Sequence, residues 1–183
     1  MKFKGLARRL EQIPPYLFAE IDRQKQEAMS RGVDIIDLSI GDPDLPTPAH
    51  IVEKLYASAK DPKTLGYPPY AGIAEFREAV SKWYGKRFGI ELNSSTEVLS
   101  LIGSKEGIAH LPLGVVDPGD VVLVPDPGYP VYHISALLAG ATPVAMPLLA
   151  KNKFLPDLSE LSTETVKKAK LMFINYPNNP TAA

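Results

Sequence analysis

Cysteine is absent from the 183-residue chain, which excludes a disulfide scaffold, a thiolate nucleophile and thiolate-ligated metal while fitting any redox compartment. A charge excess of either sign is absent too: 20 basic side chains stand against 21 acidic ones, for a formal charge of −1. Without a sustained run of Lys and Arg there is no basic field to draw nucleic acid or an anionic membrane, and neither partner is expected. No apolar stretch approaches the ~18 to 20 residues that span a bilayer. The charged start Met1-Lys2-Phe3-Lys4, with Arg8 and Arg9 behind it, carries no apolar signal core, so a cytoplasmic location is expected. Internal repeats at a solenoid period and low-complexity segments are likewise missing.

What remains is an ordinary core-forming composition, 45% apolar and 22% charged, which argues for a folded chain and against disorder. Proline is the odd component: 18 residues, about twice the usual ~5%. Its placement organises the chain. Residues 1–13 are short and basic, and Pro14-Pro15 then interrupts them, which reads as an arm. Leu17, Ile21, Ala28 and Met29 recur on one helical face, predicting a helix over 17–31 that Gly32 stops. Ile35 to Ile40 reads as a short strand, and Gly41 to Pro48 as a loop kept extended by Pro43, Pro46 and Pro48. A second stiff loop, Gly66-Tyr67-Pro68-Pro69-Tyr70-Ala71-Gly72, precedes a stretch in which Ile73, Phe76, Val80, Trp83 and Tyr84 share a face, predicting a buried-face helix over 73–88 with Trp83 in the core.

From Glu97 onward apolar runs alternate with helical ones. Strands are expected at 98–102, 121–124, 143–146 and 171–174, with helices at 105–115, 129–138 and 157–169 between them. Short all-apolar strands alternating with helices are the pattern of a mainly parallel sheet covered on both faces, so the fold class is α/β. His50, His110 and His133 share no metal-ligand spacing and read as helix-cap and surface residues, and Lys167, Lys168 and Lys170 read as a solvated helix end.

In such sheets ligands bind beyond the carboxyl ends of the strands. Gly103-Ser104-Lys105-Glu106-Gly107 opens directly into a helix, where exposed N–H groups, the Ser104 hydroxyl and the Lys105 ammonium can converge on a phosphate; the alternative is that Ser104 merely caps the helix. It has neither the spacing of a Walker loop nor that of a dinucleotide loop. Pro125-Asp126-Pro127-Gly128-Tyr129-Pro130 holds the Tyr129 ring stiffly at a strand mouth, either to stack on a planar ligand or to pack against its own helix. Asn175-Tyr176-Pro177-Asn178-Asn179-Pro180-Thr181 offers a rigid amide at the same edge, or a plain turn. Together the loops make an anion cradle, an aromatic platform and a hydrogen-bond donor, a set suited to a phosphorylated planar cofactor.

These three segments, with Tyr67-Pro68-Pro69-Tyr70-Ala71-Gly72 before them, resemble the class I/II family of fold type I aminotransferases, which depend on pyridoxal phosphate. The resemblance runs from about Tyr16 to the last residue. Ser104-Lys105, the Asn-Tyr-Pro-Asn-Asn-Pro-Thr string and Tyr16-Leu17-Phe18-Ala19-Glu20-Ile21 most resemble the LL-diaminopimelate aminotransferases within it. It implies a three-layer, mainly parallel sheet, truncated here, with 1–47 as an arm, helix and loop belonging to the small domain and substrate wall, and 48–183 as the first part of the cofactor-binding domain. It implies amino-group transfer between an amino acid and a 2-oxo acid, in a homodimer with shared active sites. By this resemblance Tyr129 stacks on the pyridine ring, Asn179 donates to its phenolate oxygen, and Ser104 with its neighbouring backbone cradles the phosphate. Lys105 lies near phosphate and substrate, Tyr67 reaches the partner subunit's cofactor phosphate, Gly41 approaches the substrate carboxylate, and Tyr16 lies near the substrate's far end.

Departures from the pattern bear on both substrate and competence. Ala182 stands where the family often has glycine, and no acidic residue occupies the loop at Pro68-Pro69-Tyr70 as in plant-type diaminopimelate enzymes, which leaves aspartate, alanine or aromatic donors open. Transamination needs a lysine that forms a Schiff base and then moves protons, and an Asp that keeps the pyridine nitrogen protonated. The family places both after the Asn-Pro-Thr turn, and no lysine here has a Ser-x-x-Lys context. Lys105 in the first turn of a helix suits a charge partner, not the Schiff base. The 183 residues alone are therefore expected to be inactive, the alternative being a non-catalytic fragment that acts as a binding module.

Overall fold

A computed structural model describes Gly5, residues 7–38, Gly41 and residues 43–183. Met1 to Lys4 and Leu6 of the expected arm, Ser39 and Ile40 of the expected strand, and Asp42 of the following loop lie outside the described residues. The chain forms two compact units. Leu101–Ala183 with the described residues before Pro15 make one, and Pro15–Ser100 the other.

The first unit is built on three parallel strands, β1 (Val121–Asp126), β2 (Thr142–Pro147) and β3 (Ala169–Met172), in the order β2-β1-β3. Parallel pairing requires crossovers, and helices supply them. On β1 the side chains alternate between faces. Val122 and Val124 join Val116, Val131, Tyr132, Ala136 and Ala141 in one buried cluster, whereas Val121 and Leu123 join Met146 in a second. Both faces of the central strand are thus buried, as its unbroken apolar run demands. Register runs from Val121 opposite Thr142 to Asp126 opposite Pro147, and an irregularity at Val121/Val122 precedes Leu123 opposite Met172. The ladder continues past β3, where Phe173 N–H donates to Leu123 O at 3.0 Å.

Helix α5 (Ser104–Val115) and helix α6 (Pro130–Leu138) lie on the first cluster. Pro130 opens α6 at a position where a helix has no use for its N–H. Val131, Tyr132 and Ala136 follow on one face, and burying the two larger side chains contributes about 1.5–3 kcal/mol each. The single helix expected over 157–169 is instead two pieces. Asp157 accepts from Ser159 N–H at 3.0 Å to start a 3-10 turn at Leu158–Glu160, and Ser162 accepts from Thr165 N–H at 3.1 Å to start α7 (Thr163–Lys168). Two competing caps within six positions split the run. A one-turn helix, α1 (Arg8–Glu11), lies in the arm, and Arg9 donates to Leu138 O at 3.2 Å.

The second unit carries α2 (Leu17–Ser30), α3 (Ala49–Lys60) and α4 (Ala74–Phe88). Helix α2 ends as expected, with Gly32 N–H donating to Met29 O at 2.9 Å, and Lys25 bridges Asp22 and Asp37 at 3.0 and 2.8 Å. Helix α3 was not anticipated, although Ile51, Leu55 and Ala59 follow one another four residues apart. Two expected strands are not there. Residues 35–38 are extended without a sheet partner among the described residues, and 98–102 likewise; two of the latter's donors are taken outside any ladder, Ser100 N–H by Ala71 O and Ile102 N–H by Glu106 Oε2.

Helix α4 forms where expected but its face is not buried. No α4 residue is buried, and Trp83 is 54% exposed, so it is not a core residue. Its ring meets Tyr84 and Phe88 edge-on, both at 5.4 Å between centroids, so the aromatic side chains of this helix pack on one another. Among the described residues, the buried apolar side chains fall between Pro112 and Leu148. His110 and His133 sit exposed on α5 and α6, and Lys168 pairs with Glu164 at 2.8 Å on α7.

Candidate functional site

Three segments of the first unit come together, at the start of α5, the mouth of β1 and the loop after β3. Gly103 occupies the N-cap of α5 with φ 135°, a backbone that L side chains rarely adopt. Ser104 is therefore the first helical residue and not the cap. Glu106 takes over part of the capping by accepting from Ile102 N–H at 2.8 Å. The first-turn N–H groups of a helix lack intrahelical acceptors and carry the positive end of its dipole, so this end of α5 suits an anion.

Asp126 ends β1, and the chain turns through Pro127 and Gly128 into Tyr129, the N-cap of α6. The turn is close: a Cβ at Gly128 would fall on the Pro125 carbonyl oxygen and 2.9 Å from Pro125 Cγ. Only glycine passes there. The Tyr129 ring stands edge-on to Tyr132 at 6.0 Å, and Tyr132 stacks on Phe173 at 4.8 Å and 24°. Burial, with Tyr129 beside it, pushes the Tyr132 hydroxyl pKa up and keeps it neutral. Both readings of Tyr129 meet in this geometry. It packs on its own helix through Tyr132, and the Lys105 ammonium lies 5.5 Å from its ring centroid, within cation–π range.

The loop after β3 is tied at both ends. Tyr176 donates from its hydroxyl to Phe154 O at 2.8 Å, and Asn178 N–H donates to Ala183 O at 2.9 Å. Asn178, 2% exposed, sends its amide Nδ2 to Pro127 O at 3.1 Å and to Thr181 Oγ1 at 3.0 Å. That amide links the Tyr129 turn to the loop that carries Asn179, whose own side chain is exposed. Reasoning from sequence singled out Asn179 and passed over Asn178; two adjacent asparagines between prolines, one free to face inward, was the available signal. The set of a helix N-terminus with Ser104 and Lys105, a flat ring and an exposed amide has the chemistry to hold a phosphorylated planar group. Asn178 Oδ1 is a buried polar atom without a partner among the described residues.

The other expected site residues lie in the second unit. Tyr16 precedes α2, 55% exposed, with its ring 5.5 Å from that of Phe18. Tyr67 projects from its loop fully exposed, and the loop's far end is held by Gly72 N–H donating to Pro69 O and by Arg77, which donates to Gly72 O and Ser94 O. Gly41 is exposed, with nothing within 4 Å of an added Cβ.

Comparison with known proteins accords with this arrangement. The model of the family described as aminotransferase class I and II matches residues 33–183. An LL-diaminopimelate aminotransferase of Aquifex aeolicus is 57% identical over 175 residues, 96% of this chain and 45% of that protein. Among solved structures, apo BacF from Bacillus subtilis superposes with a TM-score of 0.90 at 38% identity, covering 99% of this chain and 46% of that one. A Thermus thermophilus aspartate aminotransferase mutant gives 0.86 at 31% identity, over 99% and 47%. The chain thus spans under half the length of the relatives it matches, and the parallel sheet with its helices is the corresponding part of their fold type I architecture. A family match across most of the residues, joined to a fold shared with solved aminotransferases, places the chain in the class I and II aminotransferases, which depend on pyridoxal phosphate.

Proposed function

We propose that this chain is the N-terminal part of an enzyme that moves an amino group from LL-diaminopimelate to 2-oxoglutarate, in lysine biosynthesis and in the cytoplasm. The observation that carries the reading is the 57% identity to a diaminopimelate enzyme over 96% of the chain. In this reading 1–47 form the arm, helix and loop of the small domain and substrate wall, and 48–183 begin the cofactor-binding domain. When bound, pyridoxal phosphate supplies an electron sink for charge developing at the α-carbon of the amino acid. The chain's own residues bind and orient it. Ser104, the first-turn amides of α5 and Lys105 hold the phosphate, Tyr129 stacks against the ring, and Asn179 donates to the phenolate oxygen. Gly41, Tyr16 and Lys105 border the substrate.

Tyr67 serves the partner subunit of a homodimer in this reading, and its full exposure supports that role. The proton-moving lysine, the Asp on the ring nitrogen and the substrate-carboxylate arginine come from residues beyond 183. Sequencing the coding region past that codon tests this, and a continuation lacking both a Ser-x-x-Lys and a strand-end Asp sinks the enzyme reading. The donor is tested by comparing LL-diaminopimelate, aspartate, alanine and tyrosine with 2-oxoglutarate on the full-length enzyme; a higher kcat/KM for aspartate, alanine or tyrosine moves the assignment within the family.

A further inference from the structure

We infer that Asn178 is a positioning residue for the cofactor site, setting the spacing between Tyr129 and Asn179 through its side-chain amide; this rests on the reading above. Three observations carry it. Its Nδ2 reaches across to Pro127 O, two residues before Tyr129, a contact spanning 51 positions of sequence, while its backbone is joined directly to Asn179. The second amide proton goes to Thr181 Oγ1, and Asn178 backbone groups bond Ala182 N–H and Ala183 O, so the amide itself is held from its own side. Asn178 itself is buried to 2% exposure, and both bonds are partly buried, which strengthens them relative to bonds in open water.

Asn178 Oδ1, by contrast, has no partner among the described residues. A buried acceptor without a partner is costly, and a leucine or methionine of similar bulk would avoid that cost. What the amide offers here is its two donors, and they join the turn that aims the stacking ring to the loop that presents the ring-oxygen donor. A 1 Å change in that spacing is enough to spoil a site of this kind.

The test uses the full-length enzyme and three variants: Asn178→Asp, which keeps the shape but turns carboxylate oxygens toward Pro127 O; Asn178→Gln, which keeps the amide on a longer stem; and Thr181→Val, which removes the anchor. Pyridoxal phosphate affinity is measured by fluorescence titration of the apoprotein, together with the pH dependence of the bound cofactor's absorbance and the apoprotein's thermal midpoint. Asn178→Asp and Asn178→Gln should each bind the cofactor about tenfold more weakly and shift the absorbance titration, because Asn179 no longer meets the phenolate oxygen squarely. Thr181→Val should show the same changes to a smaller extent. Wild-type affinity and an unmoved absorbance titration in all three variants, with only the thermal midpoint lowered, overturn the inference. If Asn178→Asp fails to fold, Thr181→Val decides alone by the same criterion. A wild-type enzyme that does not bind pyridoxal phosphate overturns the functional reading beneath it instead.

Discussion

The ammonium of Lys105 and the ring of Tyr129 lie 5.5 Å apart, centroid to nitrogen, although one stands in the first turn of α5 and the other caps α6, 24 positions further on. A cation over a ring face stabilises that ring's orientation by about 0.5–1 kcal/mol at an exposed site. It also leaves one charge beside the anion-favouring end of α5. The two residues therefore have separable effects on a phosphorylated ring. Lys105→Gln should weaken pyridoxal phosphate by about tenfold and unphosphorylated pyridoxal by no more than the few-fold that the ring contact supplies, whereas Tyr129→Leu should weaken both alike. Equilibrium titration of the two ligands against the full-length enzyme checks this; equal losses of both ligands in Lys105→Gln would refute a phosphate role for that lysine.

Gly128 controls the same ring from the backbone side. An added Cβ would strike the Pro125 carbonyl oxygen and lie 2.9 Å from Pro125 Cγ, so the turn itself must shift. Gly128→Ala should cost about 1–3 kcal/mol, seen as a lower urea midpoint, and should weaken cofactor binding as Tyr129 is re-aimed. Gly114 has nothing within 4 Å of an added Cβ, so Gly114→Ala serves as the control and should leave the midpoint level or raise it.

Acid should loosen α2. Arg23 and then Gln24 hydrogen-bond Glu20, at 2.6 and 2.8 Å to Oε1, and hold its carboxyl pKa down from 4.5 to about 2. A folded pKa below the unfolded one means the stabilisation is complete above about 4.5 and is lost as pH falls toward about 2. Glu164, paired with Lys168, and Asp157, bonded by Ser159, are lowered in the same direction and add to the same acid limb. Far-ultraviolet dichroism should record a loss of helix over that window, smaller in Glu20→Gln and smaller again in added salt, since these groups are exposed. A Glu20→Gln titration indistinguishable from wild type contradicts the assignment.

The parts legible in the sequence are those where the local pattern and the packing agree. The apolar run at Val121 to Val124 reads as a buried parallel strand because both its faces are covered, and the turns around Gly103 and Gly128 read correctly because glycine and proline fix the backbone directly. The illegible parts depend on partners. Leu99, Leu101 and Ile102 have the composition of a strand, but Ala71 and Glu106 take the N–H groups of Ser100 and Ile102, and no ladder forms among the described residues. Trp83, Tyr84 and Phe88 have the spacing of a core face, yet burial needs an opposing surface that covers them, and no α4 residue is buried. Asn178 went unnoticed for the opposite reason: nothing local distinguishes it from Asn179, and only the contact with Pro127, across 51 positions, separates clamp from donor.

Ala182 is the departure from the family's usual glycine, and the backbone gives it a physical meaning. Its φ is 56°, a left-handed conformation that a Cβ disfavours by roughly 1–2 kcal/mol. The conformation is imposed by the turn, because Ala182 N–H donates to Asn178 O at 2.7 Å while Asn178 N–H donates to Ala183 O at 2.9 Å. Glycine would relieve the strain and give back part of the gain as unfolded-state entropy. Ala182→Gly should therefore raise stability by about 0.5–1 kcal/mol, and Ala182→Val, with a β-branched side chain, should lower it by at least as much. Denaturant midpoints of the full-length protein measure both. If valine were tolerated as well as glycine, the turn would not be held left-handed, and the support that Asn178 takes from its own loop would be lost with it.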